Sequence, residues 1–80
     1  MVDVRKLVGR NVARLRRDRG MTQEQLAEKS GFSQQYLSGL EQGRRNPTIL
    51  SLYELAQALG TTHVVLVALD DEASKARTKK

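Results

Sequence analysis

Residues Thr22–Gln42 read TQEQLAEKSGFSQQYLSGLEQ and contain two short helical patterns separated by a tight turn. Thr22 and Gln25 have the spacing of a capping box, in which each side chain satisfies a backbone N–H at the start of a helix. Ser33 is the corresponding cap candidate for the second pattern. Gly31, between the two patterns, reverses the chain through a positive φ without steric cost. The segment therefore predicts a helix, a turn of about three to four residues and a second helix.

A helix-turn-helix unit can place its second helix in the major groove of DNA. On that helix, Leu37 and Leu40 share one face and are predicted to point inward. Gln34, Gln35 and Ser38 lie on the other face. A glutamine amide both donates to and accepts from the edge of adenine, so this face suits base reading. The alternative is that the two amides are merely solvated at the start of a helix.

The segment GMTQEQLAEKSGFSQQYLSGLEQGRRNP resembles the lambda-repressor/Cro-like (XRE-type) helix-turn-helix regulators almost position by position. The resemblance runs from about Val8 to about Leu66. It implies a compact all-α domain of five helices that binds a palindromic operator as a homodimer. The runs YLSGLEQGRRN and THVVL also resemble the small controller proteins of restriction–modification systems.

The resemblance also assigns roles to residues around the predicted recognition helix. Gln23 matches a position that contacts a phosphate and braces that helix, and the dipole of a helix N-terminus favours phosphate as well. Tyr36 is either a DNA contact, as in controller-like relatives, or a rim residue packed on its own helix. Gly39 either weakens direct readout toward the helix end or admits the DNA backbone or a thymine methyl closely. The residues assigned to the DNA backbone are Gln23, Ser33, Tyr36, Arg44, Arg45 and Asn46.

Arg16 and Glu41 match a pair of residues that ties the first helix to the recognition helix in this family. The resemblance therefore implies an ion pair with a structural role. The alternative is that each side chain is exposed and unpaired.

The charge of the chain is unevenly distributed. The net charge is +5 and the pI is about 10.1. Residues 1–46 hold ten Lys/Arg and five Asp/Glu, whereas residues 47–74 hold four acids and no base. A basic half around a helix-turn-helix is the electrostatic footprint expected for nucleic acid. The alternative is an ordinary solvated surface, since many small proteins are this basic.

Several function classes lack the residues that they need. The chain has no cysteine, which excludes disulfides, cysteine–zinc sites and cysteine nucleophiles and fits a reducing cytoplasm. No apolar run approaches transmembrane length. His63 has no neighbouring ligand residue, and no nucleophile–base pair or phosphate-cradling glycine loop occurs. We therefore predict no enzyme activity, metal, cofactor or small-molecule ligand.

Two longer helical patterns flank the unit. The first is capped by Asp3 and ended by Gly20, and Gly9 interrupts it at a cost of up to about 1 kcal/mol relative to alanine. Close packing against another helix is one possible reason for that glycine. The second is capped by Thr48 and ended by Gly60. The apolar stripes are Val4, Leu7, Val8, Val12 and Leu15 in the first, and Ile49, Leu52, Leu55, Ala56 and Leu59 in the second.

The run HVVLVAL, which begins at His63, is apolar on every side. Valine favours strands, but an isolated strand has no partner here, so we predict a short helix over about 62–69, capped by Thr62. More apolar residues are present than one small core can cover, which predicts a dimer interface. The alternative is that Val65, Leu66 and Leu69 complete the core. The predicted interface residues are Val64, Val65, Leu66 and Val67.

We interpret residues 1–69 as one helix-turn-helix domain and residues 70–80 as a disordered charged tail. The predicted function is that of a cytoplasmic transcriptional regulator that binds double-stranded DNA as a homodimer. The operator, the target gene and the sign of regulation do not follow from the sequence. The alternative is an antitoxin or adaptor that acts mainly by binding a protein partner through its apolar C-terminal helix.

Overall fold

The structure is a computed structural model that describes residues 3–69. Its helices are α1 (Val4–Asp18), α2 (Gln23–Ser30), α3 (Gln34–Glu41), α4 (Ile49–Leu59) and α5 (His63–Val67). Between residues 3 and 69 there is no strand, so the predicted fold class, all-α with five helices, is confirmed. The predicted tail, 70–80, lies outside the described residues.

The first four helices begin at side-chain caps. At α2 the predicted capping box is present: the Gln25 N–H donates to Thr22 Oγ1 (3.1 Å), and the Thr22 N–H donates to Gln25 Oε1 (2.9 Å). Asp3, Ser33 and Thr48 cap α1, α3 and α4 through their side-chain oxygens, as predicted. Each cap satisfies a backbone N–H that has no partner inside its helix. The starts of these helices are therefore specified locally.

The fifth helix departs from its prediction at both ends. Thr62 occupies the N-cap position, but its side chain makes no capping hydrogen bond. The helix ends at Val67 rather than at about Leu69, because Ala68 already has an extended backbone (φ −71°, ψ 144°). An isolated helix this short is unstable in water. Contacts with the rest of the chain must therefore hold α5 in place.

One apolar core joins all five helices. α1 packs against α3 and α5, α2 packs against α3 and α4, and α4 also packs against α5. Burying a leucine side chain contributes roughly 1.5–3 kcal/mol, so a few such residues supply much of the driving force for folding. The largest fully buried apolar side chains are Val12, Leu26, Leu37, Leu40, Leu55, Leu59 and Leu66.

Two residues of the predicted apolar stripes lie outside the core. Val4 is 58% exposed and Ile49 is 81% exposed. Each is the first residue of its helix. Along α1, burial starts at Leu7, about one turn further on. The stripes have the predicted helical period, but the core does not extend to the first residue of either helix.

Gly9 marks the closest approach of α1 to α3. A Cβ atom at this position would lie within 2.8 Å of the carbonyl oxygens of both Leu40 and Glu41. Real Cβ atoms do not come this close to backbone oxygens, so only glycine fits without moving a helix. Close packing against another helix, one of the possibilities that the sequence offers, is the reason for this glycine.

Candidate nucleic-acid interface

The α2–turn–α3 segment forms the predicted helix-turn-helix, with Gly31 at φ +87° in the turn. Leu37 is buried on the inner side of α3. On the outer side, Gln34 and Gln35 are exposed and Ser38 is partly exposed. The structure therefore brings the three predicted base-reading side chains to the solvent-facing side of the recognition helix, α3.

Ser38 is not free on that surface. Its hydroxyl oxygen accepts a hydrogen bond from Gln42 Nε2 at 3.2 Å. The hydroxyl can still donate its own proton outward. Gln42 was not among the predicted site residues, although its i+4 spacing from Ser38 is a readable signal. It adds a third amide to the polar surface that Gln34 and Gln35 begin.

Tyr36, near the start of the recognition helix, packs between an aromatic ring and an arginine. Its ring stacks on Phe32 with centroids 5.1 Å apart and an interplanar angle of 21°. The guanidinium carbon of Arg45 lies 5.4 Å from the centroid of the Tyr36 ring, which is within the range of a cation–π contact. Tyr36 thus has the packing that one of its two sequence interpretations predicts, and it also orients an arginine.

Gly39 lies directly under that arginine. A Cβ atom at position 39 would lie 3.1 Å from Nε of Arg45 and 3.4 Å from its Cγ. The missing side chain therefore leaves the space in which Arg45 crosses the recognition helix. Together with their polar neighbours these residues line a shallow concavity of about 340 Å³. Its lining residues are Gln35, Ser38, Gly39, Gln42, Arg44 and Arg45.

Glu41, the last residue of α3, joins three helices through its carboxylate. Arg16 of α1 donates to both oxygens, from Nε at 2.7 Å and from Nη2 at 3.1 Å. Gln23 of α2 donates to Oε1 from its Nε2 at 3.0 Å. Arg16 also donates to the carbonyl oxygen of Met21 at 2.8 Å. The implied Arg16–Glu41 pair is present, and Gln23 braces the recognition helix by bonding to the same carboxylate.

The Arg16–Glu41 pair is largely removed from water, since the two side chains are 11% and 7% exposed. The hydrogen bond to Glu41 raises the pKa of Arg16, while burial opposes the shift. A forked, two-bond contact between guanidinium and carboxylate also fixes relative orientation. This pair therefore sets the direction in which α3 projects from the body of the protein.

The predicted dimer surface is only partly available. Val64 is 60% exposed and Val67 is also exposed, whereas Val65 is partly buried against the core. Leu66 is fully buried between the helices, so its assignment to an interface is wrong. The physical reason is that α5 turns one of its sides toward α1 and α4. Leu69, which the core alternative placed inside, is exposed.

Other site chemistry is sparse in the part of the chain that the structure describes. Within residues 3–69, no group of three or more His, Asp or Glu side chains is placed to hold a metal ion. None of the described helices is long and apolar enough to cross a membrane.

The model of one protein family, described as helix-turn-helix, matches residues 12–66. The chain belongs to the XRE-type helix-turn-helix family. This helix-turn-helix protein is 68% identical over 71 residues to y4dJ of Sinorhizobium fredii, an uncharacterized HTH-type transcriptional regulator. The match covers 89% of this chain and 92% of that relative.

Solved structures of helix-turn-helix proteins share the fold. The hypothetical transcription factor NHTF from Neisseria superimposes with a TM-score of 0.85 at 29% identity, covering 91% of this chain and 84% of that one. The restriction–modification controller protein C.Esp1396I, crystallised as a tetramer with its natural operator, has a TM-score of 0.75 at 36% identity. That match covers 82% of this chain and 87% of the controller. Controller proteins are thus among its relatives, as the sequence indicated.

Proposed function

We propose that this protein is a sequence-specific transcriptional regulator that binds a palindromic operator as a homodimer. The observation that supports the proposal best is the exposed polar side of α3, held in a fixed direction by the carboxylate of Glu41. A reading helix has to be rigid, because base-edge hydrogen bonds require its side chains to arrive in register.

In this proposal, affinity and specificity come from different residues. Gln34, Gln35 and Ser38 contact base edges in the major groove, where glutamine pairs well with adenine. The backbone contacts come from Gln23, Ser33, Tyr36, Arg44, Arg45 and Asn46, and the cationic members supply the salt-dependent part of the affinity. The stacking of Tyr36 under Arg45 supports this division, since it holds one guanidinium beside the reading surface.

The proposed homodimer forms through the exposed valines of α5. A two-fold axis lets one apolar patch cover its own copy, so Val64 and Val67 of each protomer are removed from water. The dimer presents two recognition helices about 34 Å apart, which matches successive major-groove faces on one side of DNA. A regulator of this kind acts where the DNA is, which in a prokaryote is the cytoplasm.

Selection of bound duplexes from a random DNA pool tests the proposed function. We expect the selected sites to share a motif with two-fold symmetry and half-sites about one helical turn apart. Enrichment of no motif, with equal affinity for selected and scrambled duplexes, would contradict sequence-specific regulation. Stoichiometric co-purification of a protein partner, together with an absence of DNA binding, would favour the adaptor alternative.

A further inference from the structure

Asn11 is a polar residue at the centre of the α1–α5 contact. Its side chain is fully buried on the same side of α1 as Val8 and Leu15. The amide nitrogen Nδ2 donates to the carbonyl oxygens of Leu66 (2.8 Å) and Ala68 (2.9 Å). No sequence motif includes this residue. Its role is indicated in the sequence only by the presence of a polar side chain within an apolar stripe.

The carbonyl groups that Asn11 contacts lie in and just after the last turn of α5. The final carbonyls of any helix lack partners within that helix, and a buried carbonyl needs a donor from elsewhere. Nδ2 also lies 3.4 Å from the carbonyl oxygen of Val65. One buried amide thus serves the C-terminal end of a helix that has no side-chain cap at its N-terminal end.

The other atom of the amide shows why asparagine is present. Asn11 Oδ1 is buried and has no hydrogen-bond partner within residues 3–69. Burying an unpaired polar atom is unfavourable, and leucine, which has the same number of side-chain heavy atoms and the same branching, would not carry this cost. The hydrogen bonds that Nδ2 donates to the end of α5 are therefore the reason for an asparagine at this position.

We propose that Asn11 is a positioning residue for dimerisation. It locks the end of α5 onto α1 and so holds Val64 and Val67 in the orientation in which they meet a second copy. This inference rests on the proposed dimer, but the locking of α5 can be measured in a single protomer. Leu66 anchors α5 in the core through its buried side chain, and Asn11 fixes the end of the helix through the carbonyl groups of Leu66 and Ala68.

The variant Asn11→Leu removes both N–H donors of the amide and keeps the branching of the side chain, with two methyl groups in place of the amide nitrogen and oxygen. Hydrogen exchange should show the amides of residues 65–68 exchanging at least about tenfold faster relative to those of α1–α3, because buried carbonyls lose their donor. Val12→Ala is the matched control, since Val12 is equally buried on the same helix. It should weaken protection throughout the core without singling out α5.

Assembly is measured on the same proteins. Sedimentation should show an increase of about tenfold or more in the dimer dissociation constant of Asn11→Leu, since each 1.4 kcal/mol changes an equilibrium tenfold. Binding to a single half-site duplex should stay within about twofold of wild type, whereas binding to the full selected site should weaken. A substitution that lowers only the global stability would weaken binding to the half-site and to the full site by the same factor.

The possible outcomes distinguish the two proposals. The inference would be overturned if the amides of α5 in Asn11→Leu exchanged no faster, relative to those of α1–α3, than in the wild type. It would also be overturned if they exchanged faster while the dimer dissociation constant stayed unchanged. A monomeric wild type would overturn both the dimer and the positioning role, while a loosened α5 in the variant would still show the α1–α5 lock. If leucine prevents folding, Asn11→Ala removes the same donors without adding branched bulk and is tested in the same way.

Discussion

At the scale of single residues, the recognition surface depends on the space above Gly39. Position 39 has no side chain, and Arg45 crosses the recognition helix at that point. The stacked rings of Phe32 and Tyr36 support the arginine from one side. The hydrogen-bond donors at this point of the surface thus come from Arg45, in the loop that follows α3.

Alanine substitution of the two exposed glutamines tests the division between base and backbone contacts. Gln34→Ala or Gln35→Ala should cost about 1–3 kcal/mol on a selected duplex and little on a scrambled one. Arg44→Ala should weaken binding to both duplexes and reduce the salt slope by about one unit per lost phosphate contact. Gln57→Ala, an exposed glutamine on α4, is the matched control and should leave both affinities unchanged. Equal losses on both duplexes for the Gln34 and Gln35 variants would contradict their role.

The two glycines inside helices should respond to alanine with opposite signs. At Gly39 the added methyl meets only the flexible side chain of Arg45, so Gly39→Ala should gain up to about 1 kcal/mol of stability from helix propensity. At Gly9 the methyl meets backbone oxygens, so Gly9→Ala should lose roughly 1–3 kcal/mol or more from overpacking. Urea denaturation of both variants decides the matter. Two stabilised variants would show that α1 and α3 can separate at little cost.

Gly39→Ala has a second consequence for binding. Because its methyl displaces Arg45, we expect weaker DNA binding in a protein that is more stable. In an Arg45→Ala background the same substitution should have no further effect on affinity, since the residue to be displaced is absent. Titrations of the single and double variants against a selected duplex measure this coupling. Additive losses would mean that Gly39 acts independently of Arg45.

At the scale of helices, the orientation of α3 depends on one carboxylate. Glu41 accepts hydrogen bonds from α1 and α2 at once, so a single side chain fixes three helices relative to one another. The hydrogen bond to Glu41 makes the pKa of Arg16 higher in the folded protein than in the unfolded chain. The pair therefore stabilises the fold fully at any pH below the unfolded-state pKa, and this stabilisation is lost only when the pH rises through the folded-state pKa. The charge of Arg16 therefore persists throughout the neutral range.

A double-mutant cycle on Arg16 and Glu41 tests this junction. Removing one partner leaves a poorly solvated charge, which costs about 3–5 kcal/mol when burial is complete and somewhat less here. Arg16→Met together with Glu41→Gln should cost less than the sum of the single variants. Gln23→Ala, which removes one hydrogen bond, should cost only about 0.5–1.5 kcal/mol. Simple additivity in denaturation experiments would mean that the pair does not act as a unit in solution.

At the scale of the whole molecule, one end presents polar and basic groups and α5 presents valines. This separation suits a protein that binds DNA through one surface and its own copy through another. Both surfaces are positioned from α1, since Arg16 holds Glu41 and Asn11 holds the end of α5. The first helix is thus the common support of the two proposed interfaces.

Substitution of one exposed valine tests the proposed dimer. Val64→Glu should give a folded, helical monomer with much weaker operator binding, because a charge cannot be buried against its own copy without a partner. Val4→Glu is the matched control, as Val4 is a valine of nearly equal exposure at 58% against 60%. Sedimentation over a range of concentrations, with circular dichroism as the folding check, measures the result. A wild type that stays monomeric at tens of micromolar would exclude a stable dimer.

Much of this protein can be predicted from local sequence, because its helices are specified by short-range chemistry. The capping box of Thr22 and Gln25, the turn at Gly31 and the inward leucines of α3 each act within a few residues. These features place the exposed glutamines on the recognition helix without knowledge of the remaining fold.

Other properties depend on which helices meet, and local patterns carry no such information. Whether an apolar residue is covered depends on its neighbours, so the stripes alone do not reveal that Val4 and Ile49 are exposed or that Leu66, predicted at an interface, is buried. The same holds for the backbone approach at Gly9 and for the amide of Asn11, which serves carbonyl groups more than fifty residues away. These features arise from packing between distant segments, and packing is set by the tertiary structure.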